Sequence, residues 1–132
     1  MTDSDQEDKE ARRLILQADI DSRRSARERN RLGQFATPTL LAVEITRAVE
    51  RLLPPDVEKI RFADPSVGTG SFFSAAMAVF GSKRLESSIG VEIDPTFAET
   101  AQALWGPLGL EVVREDFIEF MAKDKPELQT PL

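Results

Sequence analysis

The spacing of apolar residues changes regularly along this chain. Ile60 to Asp64 is a short run bounded by Pro65, which predicts a strand. From Ser71 to Phe80 the chain is apolar nearly all round (Phe72, Phe73, Ala75, Ala76, Met77, Val79, Phe80), which predicts a helix buried on more than one side. Ser88 to Ile93 reads as a second strand and Leu110 to Arg114 as a third. Between them, Asp94-Pro95 combines a capping side chain with a first-turn proline. Phe97, Ala101, Leu104 and Trp105 then recur at helical spacing, and Gly106-Pro107 ends that helix. Asp116, with Glu119 three residues on, resembles a capping box for a helix through Met121. Upstream, Thr39 is expected to cap a helix running to Leu53, with Leu41, Ile45, Ala48 and Leu52 as its buried stripe and Pro54-Pro55 as its end.

Strands alternating with helices of about ten residues imply a parallel sheet with crossover helices, and so an α/β fold of Rossmann-like type with about three strands. The first 31 residues stand apart as a polar, basic arm. Residues 1–10 are expected to be disordered. Residues 11–31 can form a helix with Leu14, Ile15, Leu16, Ala18 and Ile20 near its start, but Ser22 to Arg31 offers almost nothing to bury. Two regions follow: the arm, 1–31, and an α/β body, 32–132.

Charge sharpens this division. The chain carries a net −6, which taken alone argues against a nucleic-acid binder. Residues 11–31, however, hold seven arginines against Asp19, Asp21 and Glu28, a net of +4. The arm reads either as a solvated helix or as a contact for phosphates. With no cysteine and no histidine, disulfides, thiolate chemistry, the usual zinc ligand sets and histidine acid–base catalysis are excluded. Zero cysteine is compatible with the cytosol, where this protein is expected. The opening Met1-Thr2-Asp3-Ser4-Asp5 is not a secretory signal, and no apolar run approaches the roughly 20 residues of a membrane span.

The chemistry concentrates in Asp64-Pro65-Ser66-Val67-Gly68-Thr69-Gly70-Ser71-Phe72, between a strand and a helix. Open α/β sheets bind ligands at the carboxyl ends of their strands, and glycines there let the backbone turn sharply and approach a ligand. A tight turn without a ligand is the plainer reading of a bare Gly-x-Gly. A dinucleotide fingerprint wants a further glycine where Phe73 stands, and a phosphate-binding P-loop wants a lysine that this turn lacks. Asp64 would repel a phosphate but suit an ammonium group. A nucleoside carrying an amino acid fits this better than NAD or ATP. Glu92, 22 residues after Gly70, is placed to accept ribose hydroxyls, although an ordinary strand-end carboxylate is the alternative. Asp94 reads more readily as a helix cap. Asp116 could accept an adenine amino group with Phe117 against the ring, or simply cap its helix.

These residues resemble the motif series of the amino-methylating DNA methyltransferases. Asp64 to Phe72 is similar to the family's first motif, Asp-Pro-x-x-Gly-x-Gly-x-Phe. Gly90-Val91-Glu92-Ile93-Asp94 is similar to the second and Glu115-Asp116-Phe117 to the third. Gly33-Gln34-Phe35-Ala36-Thr37-Pro38, about 26 residues before Asp64, resembles the segment Gly-x-Phe-Tyr-Thr-Pro that closes over the methionine part of the cofactor, with Ala36 in place of the tyrosine. The resemblance covers roughly residues 32–117. It implies a class I methyltransferase fold and S-adenosyl-L-methionine as cofactor. The implied contacts are Phe35, Thr37, Pro38, Asp64, Pro65, Ser66, Gly68, Gly70, Glu92, Ile93, Asp116 and Phe117. The implied reaction is methyl transfer to the exocyclic amino group of adenine in DNA.

One departure matters more than the match. The family's catalytic tetrapeptide, Asn/Asp/Ser-Pro-Pro-aromatic, is absent; the only Pro-Pro is Pro54-Pro55, between Leu53 and Asp56. No catalytic residue is therefore assigned, and the chain is expected to be truncated or to be one subunit of a larger enzyme. It would hold the methyl donor but not orient the acceptor. The first strand is expected to have an open edge, leaving the isolated chain marginally stable or dependent on a partner that completes the sheet. DNA is the expected macromolecular partner, reached through downstream regions or the arginine-rich arm. A non-catalytic cofactor-binding module, a methyltransferase of RNA, protein or a small molecule, and an NAD-dependent dehydrogenase stay open as alternatives.

Overall fold

The computed structural model describes residues 3–28 and 36–123. Helix α1 (Asp3–Ser22) precedes α2 (Thr39–Leu52), after which strands and helices alternate: β1 (Ile60–Asp64), α3 (Ser71–Phe80), β2 (Leu85–Val91), α4 (Pro95–Trp105), β3 (Leu110–Val113) and α5 (Phe117–Ala122). A short 3₁₀ turn, Gly106–Leu108, joins α4 to β3. The three strands form one parallel sheet in the order β1-β2-β3, with Phe62 opposite Ser88, Asp64 opposite Gly90, and Gly90 opposite Val112. The chain is thus an α/β protein with a three-stranded parallel sheet flanked by helices. None of its described helices is long and apolar enough to cross a membrane.

The core lies between one face of the sheet and helices α3 and α4. Phe73 and Met77 of α3 meet Ala101, Leu104 and Trp105 of α4, with Leu110 of β3 and Val67 of the glycine turn; Phe62, Leu85 and Val112 close it from the sheet side. Phe73 stands edge-on between Phe62 and Trp105, with both ring centroids 5.6 Å away. On the opposite face, Ala63, Ile89 and Val91 border a recess of about 140 Å³ shared with Phe117 and Met121 of α5. Helix α3 is buried at five successive positions, Phe73 to Met77, as its all-round apolar pattern predicts.

Three expectations need correction. The first concerns α1, which begins at Asp3, inside the segment expected to be disordered; its end at Ser22 falls where the chain runs out of residues to bury. Polar contacts seat it: Gln6 Nε2 donates to the Ser74 hydroxyl of α3 (3.0 Å), and Glu10, Arg13, Gln17 and Ile20 are buried. The second concerns Thr39. It does not cap α2; Pro38 occupies the cap position without a side-chain bond, and the Thr39 hydroxyl donates instead to Glu10 Oε2 (2.6 Å). A carboxylate is the stronger acceptor. The third concerns the stripe assigned to the interior of α2. Leu41, Ile45 and Leu52 are 51, 42 and 84% exposed, whereas Ala42 and Thr46 are buried. Helix α2 lies against α3 along that small-residue side, which turns the larger apolar side chains away from the described body.

Candidate functional site

Between β1 and α3 the chain makes a turn built on two left-handed residues, Gly68 (φ 57°) and Gly70 (φ 99°). Only glycine adopts this conformation without a Cβ penalty. Gly70 has a second reason: a Cβ there would sit 2.4 Å from Trp105 Nε1. The indole N–H donates to the Thr69 carbonyl at 2.9 Å, so α4 fixes the turn from behind. Beneath the turn, Gly90 of β2 leaves room for Val67, which would lie 2.7 Å from any Cβ at that position.

The turn roofs one side of a cavity of about 390 Å³ at the carboxyl ends of β1 and β2. That volume lies within the range of small-molecule sites, roughly 300–1,000 Å³. Glu92, 6% exposed, is held by two backbone donors: Gly68 N–H to Oε1 (2.8 Å) and Asp94 N–H to Oε2 (2.9 Å). A carboxylate has about four acceptor positions, so both oxygens keep capacity for hydroxyl donors from a ligand. Asp64 accepts from the Ser66 N–H (3.0 Å). Its burial raises its pKa above the ordinary aspartate value, only partly offset by that hydrogen bond. Asp94 caps α4 by accepting from Thr96 and Phe97 N–H. The same carboxylate takes both arms of Arg24 (2.8 and 3.2 Å), whose guanidinium lies 4.9 Å above the Phe97 ring.

Of the residues expected at the site, the structure brings Thr37, Asp64, Ser66, Gly68, Glu92 and Ile93 to the cavity wall. Others fall elsewhere. Pro38 holds the start of α2, and Gly70 is buried against Trp105. Pro65 and Phe117 line the recess on the far side of Asp64. Asp116 caps α5, accepting from Ile118 and Glu119 N–H at 2.9 and 3.2 Å. Phe35 lies outside the described residues. Phe97, a neighbour on the same wall, belongs to the inward stripe of α4 and also lines the cavity.

Sequence reasoning missed the contribution of α1. Gln17 lines the cavity, and Arg13, 1% exposed, binds Thr69 of the turn. Hydropathy points to the apolar residues of α1, yet Leu14 and Ile15 are 47 and 60% exposed. The usable signal is the spacing of Glu10, Arg13 and Gln17, which puts them on one helical face with complementary charges three apart. Burial alone would push Glu10 up, but hydrogen bonds from Arg13 and Thr39, with the charge of Arg13, hold its pKa below the ordinary glutamate value.

No model of a known protein family matches this sequence.

Proposed function

We propose that the cavity binds S-adenosyl-L-methionine and that the chain is the donor-binding part of a DNA methyltransferase acting on the exocyclic amino group of adenine. The observation that carries this reading is the charge of the cavity wall. Among its lining residues Asp64, Glu92 and Asp94 are acidic and none is basic. Asp94 is paired with Arg24, which leaves Asp64 and Glu92 to set the sign of the wall; beside them a nucleotide phosphate is disfavoured, whereas a ligand with an ammonium and a sulfonium group is favoured.

Each part of such a ligand has a counterpart. In this reading Asp64, on the cavity wall beside Ser66, takes the ammonium group. Glu92, fixed by two N–H donors, presents oxygens to ribose hydroxyls. Ile93 and Phe97 offer apolar surface to a flat base. When bound, the sulfonium supplies an already activated methyl group, so the work left to the protein is alignment. These residues bind and orient the donor. The acceptor base must be extruded to reach it, and the 132 residues carry no tetrapeptide of the kind that would receive it.

Calorimetric titration tests the reading. S-adenosylmethionine should bind at one saturable site, with NAD and ATP giving no comparable heat, and Glu92→Ala should abolish most of the affinity. Absence of binding by the wild-type chain, alone and with a complementing partner, would overturn it. A methyl-transfer assay on DNA, with and without candidate partners, then separates an enzyme subunit from a non-catalytic binding module.

A further inference from the structure

Helix α1 turns Glu10, Arg13 and Gln17 toward the back of the glycine turn, and all three are buried. Glu10 takes both arms of Arg13, Nε to Oε1 at 2.6 Å and Nη2 to Oε2 at 2.8 Å. The remaining arm of Arg13, Nη1, donates to the Thr69 hydroxyl at 3.1 Å, and that hydroxyl donates onward to Gln17 Oε1 at 2.8 Å. With its carbonyl accepting from Trp105, Thr69 is held at its hydroxyl and at its carbonyl. It is also the residue between the two left-handed glycines. Glu10 further accepts from Thr39, two residues beyond Thr37 of the cavity wall. One ion pair therefore ties α1 to two parts of that wall.

Stability alone does not account for this arrangement. A buried ion pair contributes little compared with well-packed apolar side chains of similar volume, because desolvation offsets the attraction. A direction-dependent network instead fixes one geometry among several. We propose that Arg13, backed by Glu10, is a positioning residue that holds Thr69, and with it the Gly68–Gly70 backbone, in the ligand-binding shape, so that the seating of helix α1 sets the affinity of the cavity. The affinity part of this inference rests on the cavity taking S-adenosylmethionine.

Two substitutions at Thr69 test it. Thr69→Val keeps the shape of the side chain and removes the hydroxyl; Thr69→Ser keeps the hydroxyl. Both variants are titrated with S-adenosylmethionine at a temperature where their melting curves show them folded. Amide hydrogen exchange at Gly68 and Gly70 is followed without ligand. Thr69→Val should bind about tenfold more weakly at unchanged stoichiometry, as expected for losing a buried hydrogen bond. Its Gly68 and Gly70 amides should exchange faster while those of α4 stay protected, and Thr69→Ser should restore both properties. A purely structural role predicts something else: a lower melting temperature and a smaller binding-competent fraction, with the dissociation constant and glycine exchange of the folded molecules as in wild type. That result would overturn the proposal. Thr69→Ala serves the same comparison if Thr69→Val does not fold. If the wild-type chain itself takes up no S-adenosylmethionine, the functional proposal fails, and the exchange measurement decides the positioning role by itself.

Discussion

Gly70 shows how one missing Cβ shapes the site. The left-handed φ of 99° already disfavours any other residue, and the indole of Trp105 occupies the space a methyl group would need. Gly70→Ala should therefore strain the turn and displace the Trp105–Thr69 bond together, costing about 2–4 kcal/mol of stability. Denaturant unfolding followed by tryptophan fluorescence reads the loss directly, since Trp105 is the only tryptophan. Asp64 makes a prediction of a different kind. Burial raises its pKa in the ligand-free protein. A cationic ligand would favour the ionised form and lower that pKa again, so binding releases a proton at pH values near or below the raised pKa. Affinity should accordingly fall as pH drops through the raised value, and calorimetry in buffers of different ionisation enthalpy should detect the proton release. In Asp64→Asn the affinity should be weaker and that pH dependence lost. An unchanged pH profile in the variant would remove Asp64 from the site.

At the scale of elements, what the sequence made legible is what local chemistry decides. The bounds of β1 and α3 coincide with their expected ranges, because Pro65 and the glycine turn punctuate the chain between them. Asp94-Pro95 starts α4 as read, and its four inward residues are all buried. Strand β2 begins at Leu85, earlier than Ser88, because the exposed polar pair Glu86 and Ser87 separates Leu85 from the apolar run and hides it from a hydrophobic pattern. Helix α1 was the least legible element, since its buried face is charged and gains its meaning from Thr69, 56 residues after Arg13. Of the six expected site residues that share one wall, the two strand ends bring five, and the segment before α2 brings Thr37. Asp116 and Phe117 follow β3, and α5 carries them to the other side. Asp94 joins both kinds of information, local as a cap and distant as the partner of Arg24. Asp94→Ala should cost about 1–3 kcal/mol, combining the lost cap with a half-buried arginine left without that partner. A double-mutant cycle with Arg24→Met should return a coupling well above that of an exposed ion pair, about 0.2–1 kcal/mol. A coupling near zero would mean that Arg24 does not hold the arm to the body.

The molecule as a whole leaves apolar surface uncovered. Leu40, Leu41, Ile45, Val49 and Leu52 of α2 are between 42 and 84% exposed. Beside them, a groove of about 570 Å³ runs between α2 and β1, lined by Ile45, Val49, Phe62, Phe72 and Phe80 among others. Strand β1 pairs only with β2 among the described residues, so its outer edge borders the same groove. A contiguous apolar surface beside an open strand edge favours association. The isolated chain should therefore show concentration-dependent self-association in sedimentation velocity. Replacing Leu41, Ile45 and Val49 by Gln, Glu and Lys should suppress it. Because these side chains are already substantially exposed, each replacement should change the folding free energy by no more than about 0.5 kcal/mol. The two measurements separate alternatives that a single melting curve would merge. Lost association with unchanged stability marks the face as surface awaiting a cover. A comparable loss of stability means that the stripe packs inside the isolated chain after all, as its helical spacing first suggests. A wild-type chain that stays monomeric and melts cooperatively would show that three strands with their flanking helices suffice, and that neither the groove nor the β1 edge needs a partner.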